Sequence, residues 1–313
     1  MGVRVRMAVW IGFGAVVLAA LALAAWKLRA EPRFAPGAGL DAAERARHYP
    51  APLPPPDGPV RVYHLGHSLT GRDMPAMLAQ LAGHDWNSQL GWGASLDQHW
   101  RGEVPGFAEE NAAPVFRPAH EAAGSGDYPV FVLTEMIGLA DAIRWHDSPA
   151  ALARWVQRIR EGRADARIYL YETWHPLDEA PDWPARLEAD LPGLWEAHLL
   201  RPVLESGERI HVIPGGQVMA AVAREAEAGR IPGLSGAGDL FGDDIHFNDL
   251  GAWLVAQTHY AVIYGRSPLG LPARLNRADG SPADAPPDEA VRIMQGIVWR
   301  VVTSYPPTGV GGE

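Results

Sequence analysis

The stretch VYHLGHSLTGRDMP, residues 62–75, starts as an apolar strand and ends as the first turn of a helix. Between the two lies Gly66-His67-Ser68-Leu69, a small hydroxyl residue in a tight bend. Gly and Ser are ordinary turn residues, so the bend alone says little. At the carboxyl end of a buried strand, however, it also presents a serine as a nucleophile would be presented. The rest of the chain has to decide between these readings.

Working outward, short apolar runs alternate with helical patterns. Strands are expected at Val60–Gly66, Trp86–Gly91, Val130–Thr134, Ile168–Trp174 and Ile210–Ile213. Helices are expected near 73–83, 149–162, 183–205, 217–229, 249–264 and 287–303, with Ser148-Pro149 as an N-cap and first-turn pair. Such alternation predicts an α/β domain, a parallel sheet with helices on both faces. Ligands of open sheets of this kind sit at the carboxyl ends of the strands, where Ser68 falls.

A serine hydroxyl is a weak nucleophile until an oriented base accepts its proton. GDDIHFNDLGAWLVAQ, residues 242–257, supplies a candidate: His246 follows Asp243 by three residues in a loop that enters a helix. A carboxylate at that spacing reaches back to the imidazole and fixes its tautomer. Asp244 is the neighbouring alternative, one residue closer and less able to fold back onto the ring.

With both blocks in view, the chain resembles the SGNH hydrolases, the GDSL-type esterase and lipase superfamily, over about residues 60–265. The carriers are Gly66-His67-Ser68-Leu69, Asp243-Asp244-Ile245-His246 and the run-on DDIHFNDLGAWLVAQTHY. The resemblance implies a flavodoxin-like three-layer α/β/α sandwich. It also implies a Ser68-His246-Asp243 triad working with no metal and no organic cofactor. The oxyanion would be held by the Ser68 N–H and by a glycine N–H of the second block, best matched by Gly93 in LGWGASLDQHW, with Gly91 as runner-up. Two positions depart from the family pattern. His67 stands where the first block has Asp. In VFVLTEMIG, Glu135 stands where the third block has the oxyanion-donating Asn. An ionised carboxylate has no hydrogen to donate. Glu135 is therefore expected to be protonated, to be replaced by another donor, or to serve differently. Arg144 and His146 could neutralise it, or belong to a surface loop.

His67, Trp174 and His175 are expected to line the substrate site, Trp174 suiting a sugar ring. His64 and His67 form an H-x-x-H pair, but no third ligand has diagnostic spacing, so no metal site is expected. VIPGGQV around Gly215-Gly216 lacks the glycine spacing and the lysine of a P-loop and reads as a strand-to-helix turn.

The bulk composition frames this reading. A chain of 313 residues with 47% hydrophobic content can bury a full core, and it has no cysteine, which excludes disulfides and thiol catalysis. The formal charge is −10, of which residues 1–33 contribute +4 (five basic residues against Glu31), leaving −14 for the rest. Such an acidic body is a poor partner for nucleic acid. Twelve tryptophans hint at a groove for sugars. Residues 7–26 carry no charge and, as a helix, would span roughly 30 Å, one bilayer core. Residues 1–29 are thus expected to be a transmembrane anchor or a signal sequence, with Ala22-Leu23-Ala24 as an available cleavage site. Residues 30–59 read as a Pro/Ala-rich linker, 60–305 as the hydrolase domain and 306–313 as a flexible tail. The expectation is an ester hydrolase outside the cytoplasm, tethered through residues 7–26, acting on an O-acyl group of an envelope glycan or on a small-molecule ester. Rival readings are an O-acyltransferase with the same triad, separable by product analysis with an acceptor sugar, and a non-catalytic glycan-binding module, separable by activity on p-nitrophenyl acetate.

Overall fold

The computed structural model describes residues 35–311. Five strands, β1 (Val62–His67), β2 (Trp86–Gly91), β3 (Val130–Leu133), β4 (Arg167–Glu172) and β5 (His211–Pro214), form one sheet in the order β2-β1-β3-β4-β5, every pair parallel. This is the flavodoxin-like order, which reverses direction between β1 and β3. The helices are α1 (Ala42–His48), α2 (Asp73–Ala82), α3 (Leu96–Arg101), α4 (Phe107–Glu110), α5 (Ala119–Ser125), α6 (Leu139–Trp145), α7 (Ser148–Gly162), α8 (Trp183–Asp190), α9 (Arg201–Glu205), α10 (Gly215–Glu227), α11 (Asp249–Tyr264) and α12 (Asp288–Ser304). Because parallel crossovers are right-handed, connections running in opposite directions along the sheet fall on opposite faces. Helices α2, α10, α11 and α12 accordingly pack together, and α3, α5 and α7 form a second group.

The expected strands are all present, each shifted by at most two residues at its ends. Every residue of β1 is buried, as expected of a central parallel strand covered on both faces. The run expected as one helix over 183–205 is α8, a π-helical stretch Leu191–Leu200 and α9. Pro192 and Pro202 lie in that run, and proline removes an N–H from the α ladder. Helices α1, α3, α5 and α6 were not expected; each is only six or seven residues long, too short for a 3.6-residue period to show.

Three expectations concern the chain ends. The anchor or signal reading of residues 7–26 lies outside the described residues; among those described, no helix is long and apolar enough to cross a membrane. The linker reading is corrected for residues 37–53, which pack on the domain. Gly37 N–H donates to Gly193 O, Leu40 N–H to buried Glu196, and Tyr49 Oη–H to Ile210 O. Proline-rich extended backbone is as fit to be packed as to be solvated, and Leu40 and Tyr49 supply the buried side chains. The tail reading is also corrected. Pro306–Thr308 forms a 3₁₀ turn, Thr308 is fully buried, and Gly309 O accepts from Leu53 N–H at 2.7 Å.

The core carries an unusual load of histidine. Burial pushes His67, His84, His99, His211 and His259 down to about 4 from an ordinary 6.5, and His64 well below its usual value. The unfolded chain therefore takes up protons first as pH falls. Stability from these groups is complete above about pH 6.5 and drains away toward pH 4, at about 1.4 kcal/mol per group per pH unit. Glu135 and Glu172, raised by burial to about 7 and about 8, act in the opposite direction, their contribution fading as pH rises through those values. Six histidines against two carboxyls decide the sign. The melting temperature should fall when pH is lowered from 7 to 5, and a flat or rising profile would contradict this account.

Candidate active site

The bend after β1 is held from several sides. His67 O accepts from the N–H groups of Thr70 and Gly71, at 2.8 and 3.2 Å, and turns the chain directly after the strand. A side chain at Gly66 would meet Thr134 Cγ2 at 2.5 Å, so the strand passes β3 with no room for a Cβ. The carbonyl of Gly66 accepts from His99 Nε2 at 2.8 Å, and Gln89 Nε2 donates to His99 Nδ1, which fixes that tautomer. Leu69 is fully buried and its carbonyl accepts from Tyr171 Oη–H. Ser68 is the one half-exposed residue in the stretch from Val62 to Thr70.

The loop from Asp243 to Asn248 is folded on its own carboxylate. Asp243 Oδ1 accepts from the backbone N–H groups of Ile245 and His246, at 2.9 and 2.6 Å. Oδ2 lies 2.8 Å from His246 Nδ1. These bonds, the His246 backbone N–H foremost, hold the Asp243 carboxyl down to about 2, ionised throughout the neutral range. Nδ1 is therefore the protonated nitrogen, and Nε2, 2.9 Å from Ser68 Oγ, is the acceptor. Asp244 takes no part in this chain; its carbonyl accepts from Leu177 N–H. Asn248 then caps α11 through the N–H groups of Leu250 and Gly251, and Gly251 lets the helix start 2.4 Å, measured from an added Cβ, from Leu240 O. Ser68, His246 and Asp243 thus come together from the two ends of the sequence.

In the sheet register His67 pairs with Gly91, so the residues just past β2 lie beside Ser68. Gly91 is still within the ladder. Gly93, at φ 55°, is outside it, in the left-handed region that favours glycine. Gly93, beyond the ladder, has no backbone acceptor for its N–H among the described residues.

Four expected site residues are placed differently. His67 is fully buried behind the bend, Nδ1 accepting from Leu69 N–H and Nε2 donating to Glu135 O at 2.8 Å, so it lines no pocket. Trp174 is 3% exposed; its Nε1–H donates to Ile245 O and its ring packs on Phe241 and Phe247. It braces the His246 loop, and only its edge borders the cavity that His175 lines. Glu135 is fully buried, and its Oε1 accepts from the N–H groups of Leu96 and Met136, at 3.2 and 2.8 Å. A carboxyl turned inward onto backbone donors cannot donate to an oxyanion at Ser68; it ties the end of β3 to the loop carrying Gly93. Burial raises it to about 7, the direction expected from the sequence, and His146 faces Ser95 Oγ instead of the carboxyl. His175 lines a cavity, but one that does not include Ser68. The H-x-x-H pair diverges, His64 packing against His259 and Trp86.

Ser68 opens onto a groove of about 640 Å³ bordered by Arg72, Asp73, Glu110, Arg277 and Asp279. Trp92, 56% exposed beside Gly93, donates Nε1–H to Glu110 at 2.9 Å and so stands at its rim. None of these was expected. Arg277 and Asp279 come from the long connection between α11 and α12, whose length was the one available signal.

Compared with solved structures, the chain is similar to a DUF4886 family protein from Bacteroides uniformis, with a TM-score of 0.52 and 15% identity over 79% of this chain and 96% of that one. The fold is shared. A putative GDSL-like lipase from Parabacteroides merdae matches with a TM-score of 0.42 and 14% identity, covering 68% of this chain and 99% of that one. A family 3 carbohydrate esterase from Clostridium thermocellum matches with 0.38 and 11%, covering 64% and 93%. No protein-family model and no curated protein matches the chain.

Proposed function

We propose that the protein is an SGNH-type serine hydrolase that cleaves an ester. The observation that carries the reading is the hydrogen-bonded chain from Ser68 Oγ through His246 to Asp243, set at the carboxyl edge where the sheet order reverses. In this mechanism His246 Nε2 takes the Ser68 proton as Oγ attacks the acyl carbon, and the resulting imidazolium lies against the Asp243 carboxylate. The N–H groups of Ser68 and Gly93 receive the oxyanion. His246 then gives its proton to the departing alkoxide, and water, deprotonated by the same nitrogen, frees the acyl group and restores Ser68. The half-exposed Asp243 and His246 leave this edge open to a bulky alcohol, which favours an ester on a large carrier.

The carrier in this reading is an O-acylated glycan of the cell envelope, a location that rests on residues 7–26 as an outward-facing tether. A fluorophosphonate probe should label the full chain at Ser68, and His246→Ala should suppress the label. A charged, membrane-impermeant version should label sealed right-side-out vesicles as well. Label that persists in Ser68→Ala would sink the triad; label appearing only after detergent would sink the location.

A further inference from the structure

The cavity that receives His175 lies over the carboxyl ends of β3 and β4 and holds about 250 Å³, a little under the roughly 300–1,000 Å³ of drug-sized sites. Ile137 closes it on the β3 side, Trp174 and His175 on the β4 side, and Arg186, Asp190 and Trp195 from α8 and the π-helical stretch. His175 is 5% exposed, and its Nδ1 donates to Pro176 O at 2.9 Å. Nε2 is then left as an acceptor, buried and without a partner among the described residues. Asp190 accepts from Arg186 Nε through Oδ2 at 2.8 Å, and its other oxygen accepts from no described residue.

The chemistry of this lining selects its occupant. An acyl chain would leave the His175 lone pair desolvated and unmatched, which buried polar groups do not tolerate. A carboxylate or phosphate would face Asp190 and Glu179, which also borders the cavity. A neutral ligand with several adjacent hydroxyls satisfies every group: O–H donors for His175 Nε2 and Asp190, an oxygen acceptor for the remaining Arg186 N–H groups, and C–H faces for the edges of Trp174 and Trp195. The cavity is also wired to the candidate triad. Trp174 Nε1–H donates to Ile245 O at 2.8 Å, inside the turn that joins Asp243 to His246, and Leu177 N–H donates to Asp244 O.

We propose that this cavity is a subsite for one sugar residue of the acylated glycan, held by hydroxyl hydrogen bonds to His175 Nε2 and the Asp190–Arg186 pair. The inference rests on the esterase reading for the words "acylated glycan", and its test is binding in the absence of turnover. The full chain carrying Ser68→Ala is titrated, by ligand-observed NMR, with the methyl glycosides of glucose, galactose, mannose and N-acetylglucosamine, and with butyrate. At least one glycoside should bind saturably. Adding His175→Phe, or the isosteric Asp190→Asn should phenylalanine disturb folding, should weaken that binding about tenfold, the order expected for one lost partner of a buried group. The proposal is overturned if no glycoside binds, if butyrate alone binds, or if the folded variant binds as tightly as its parent. Glycoside binding by a protein whose wild type hydrolyses no ester would sink the esterase reading and leave the subsite standing.

Discussion

Ser68→Ala and His246→Ala should each lower kcat for p-nitrophenyl acetate by roughly 10⁴–10⁶, and the double variant should be no worse than either single one. Nucleophile and base act as a unit. Once either is gone, what remains is the rate supplied by the backbone donors alone. Asp243→Asn should behave differently. An amide oxygen can still accept from the N–H groups of Ile245 and His246, so the loop keeps its shape. The amide nitrogen would then face Nδ1 as a donor, forcing the proton onto Nε2, where it can no longer accept from Ser68. In a buried triad this costs about 10⁴. Here Asp243 is 52% and His246 48% exposed, so water can solvate the imidazolium in part, and the expected loss is smaller, on the order of 10²–10³. Steady-state rates for the four variants decide the matter. Additive losses in the double variant would mean that Ser68 and His246 do not work on the same proton.

Much of this arrangement was legible in the sequence because it is written in local patterns. A buried strand followed by a glycine–serine bend, and a carboxylate three residues before a histidine, are short-range features whose geometry follows from the backbone. Strand positions were legible for the same reason, as continuous apolar runs. What could not be read was the direction of side chains whose neighbours are distant in sequence. Trp174 looks the same as text whether it faces solvent or donates to Ile245 O, 71 residues away. His67, read as a pocket wall, turns back to Glu135 O across 68 residues. The proline-rich segment before Val60 carries few large apolar residues, and distant partners such as Gly193, Glu196 and Ile210 make it part of the domain. The groove at Ser68 is bounded partly by Arg277 and Asp279, from a segment with no periodicity to betray it.

Glu135 separates a donor from a brace, and its substitutions should show the second. Were it an oxyanion donor, Glu135→Ala would lose rate while leaving the fold alone. As a brace it holds the N–H groups of Leu96 and Met136, with the buried Ser148 hydroxyl beside it. Glu135→Ala should therefore strand one buried and one part-buried donor and open a cavity, destabilising the protein by roughly 2–4 kcal/mol. The rate should fall as well, by about tenfold to a hundredfold, because the loop carrying Gly93 loses its tie. Glu135→Gln keeps an acceptor of the same shape and should retain most of the activity. Its decisive signature lies in pH. The wild-type carboxyl is raised from 4.5 to about 7, so the folded state prefers the protonated form. Its contribution to stability is complete below about pH 4.5 and is lost as pH rises through 7, a change of roughly 3 kcal/mol. Glutamine does not titrate and loses nothing over that range. The stability of Glu135→Gln relative to wild type should thus increase from pH 5 to pH 8, and the six buried histidines, common to both proteins, cancel from the difference. Denaturant melts at the two pH values measure it. A difference that stays constant would mean that Glu135 is not a desolvated acid, and the brace would have to be explained without its proton.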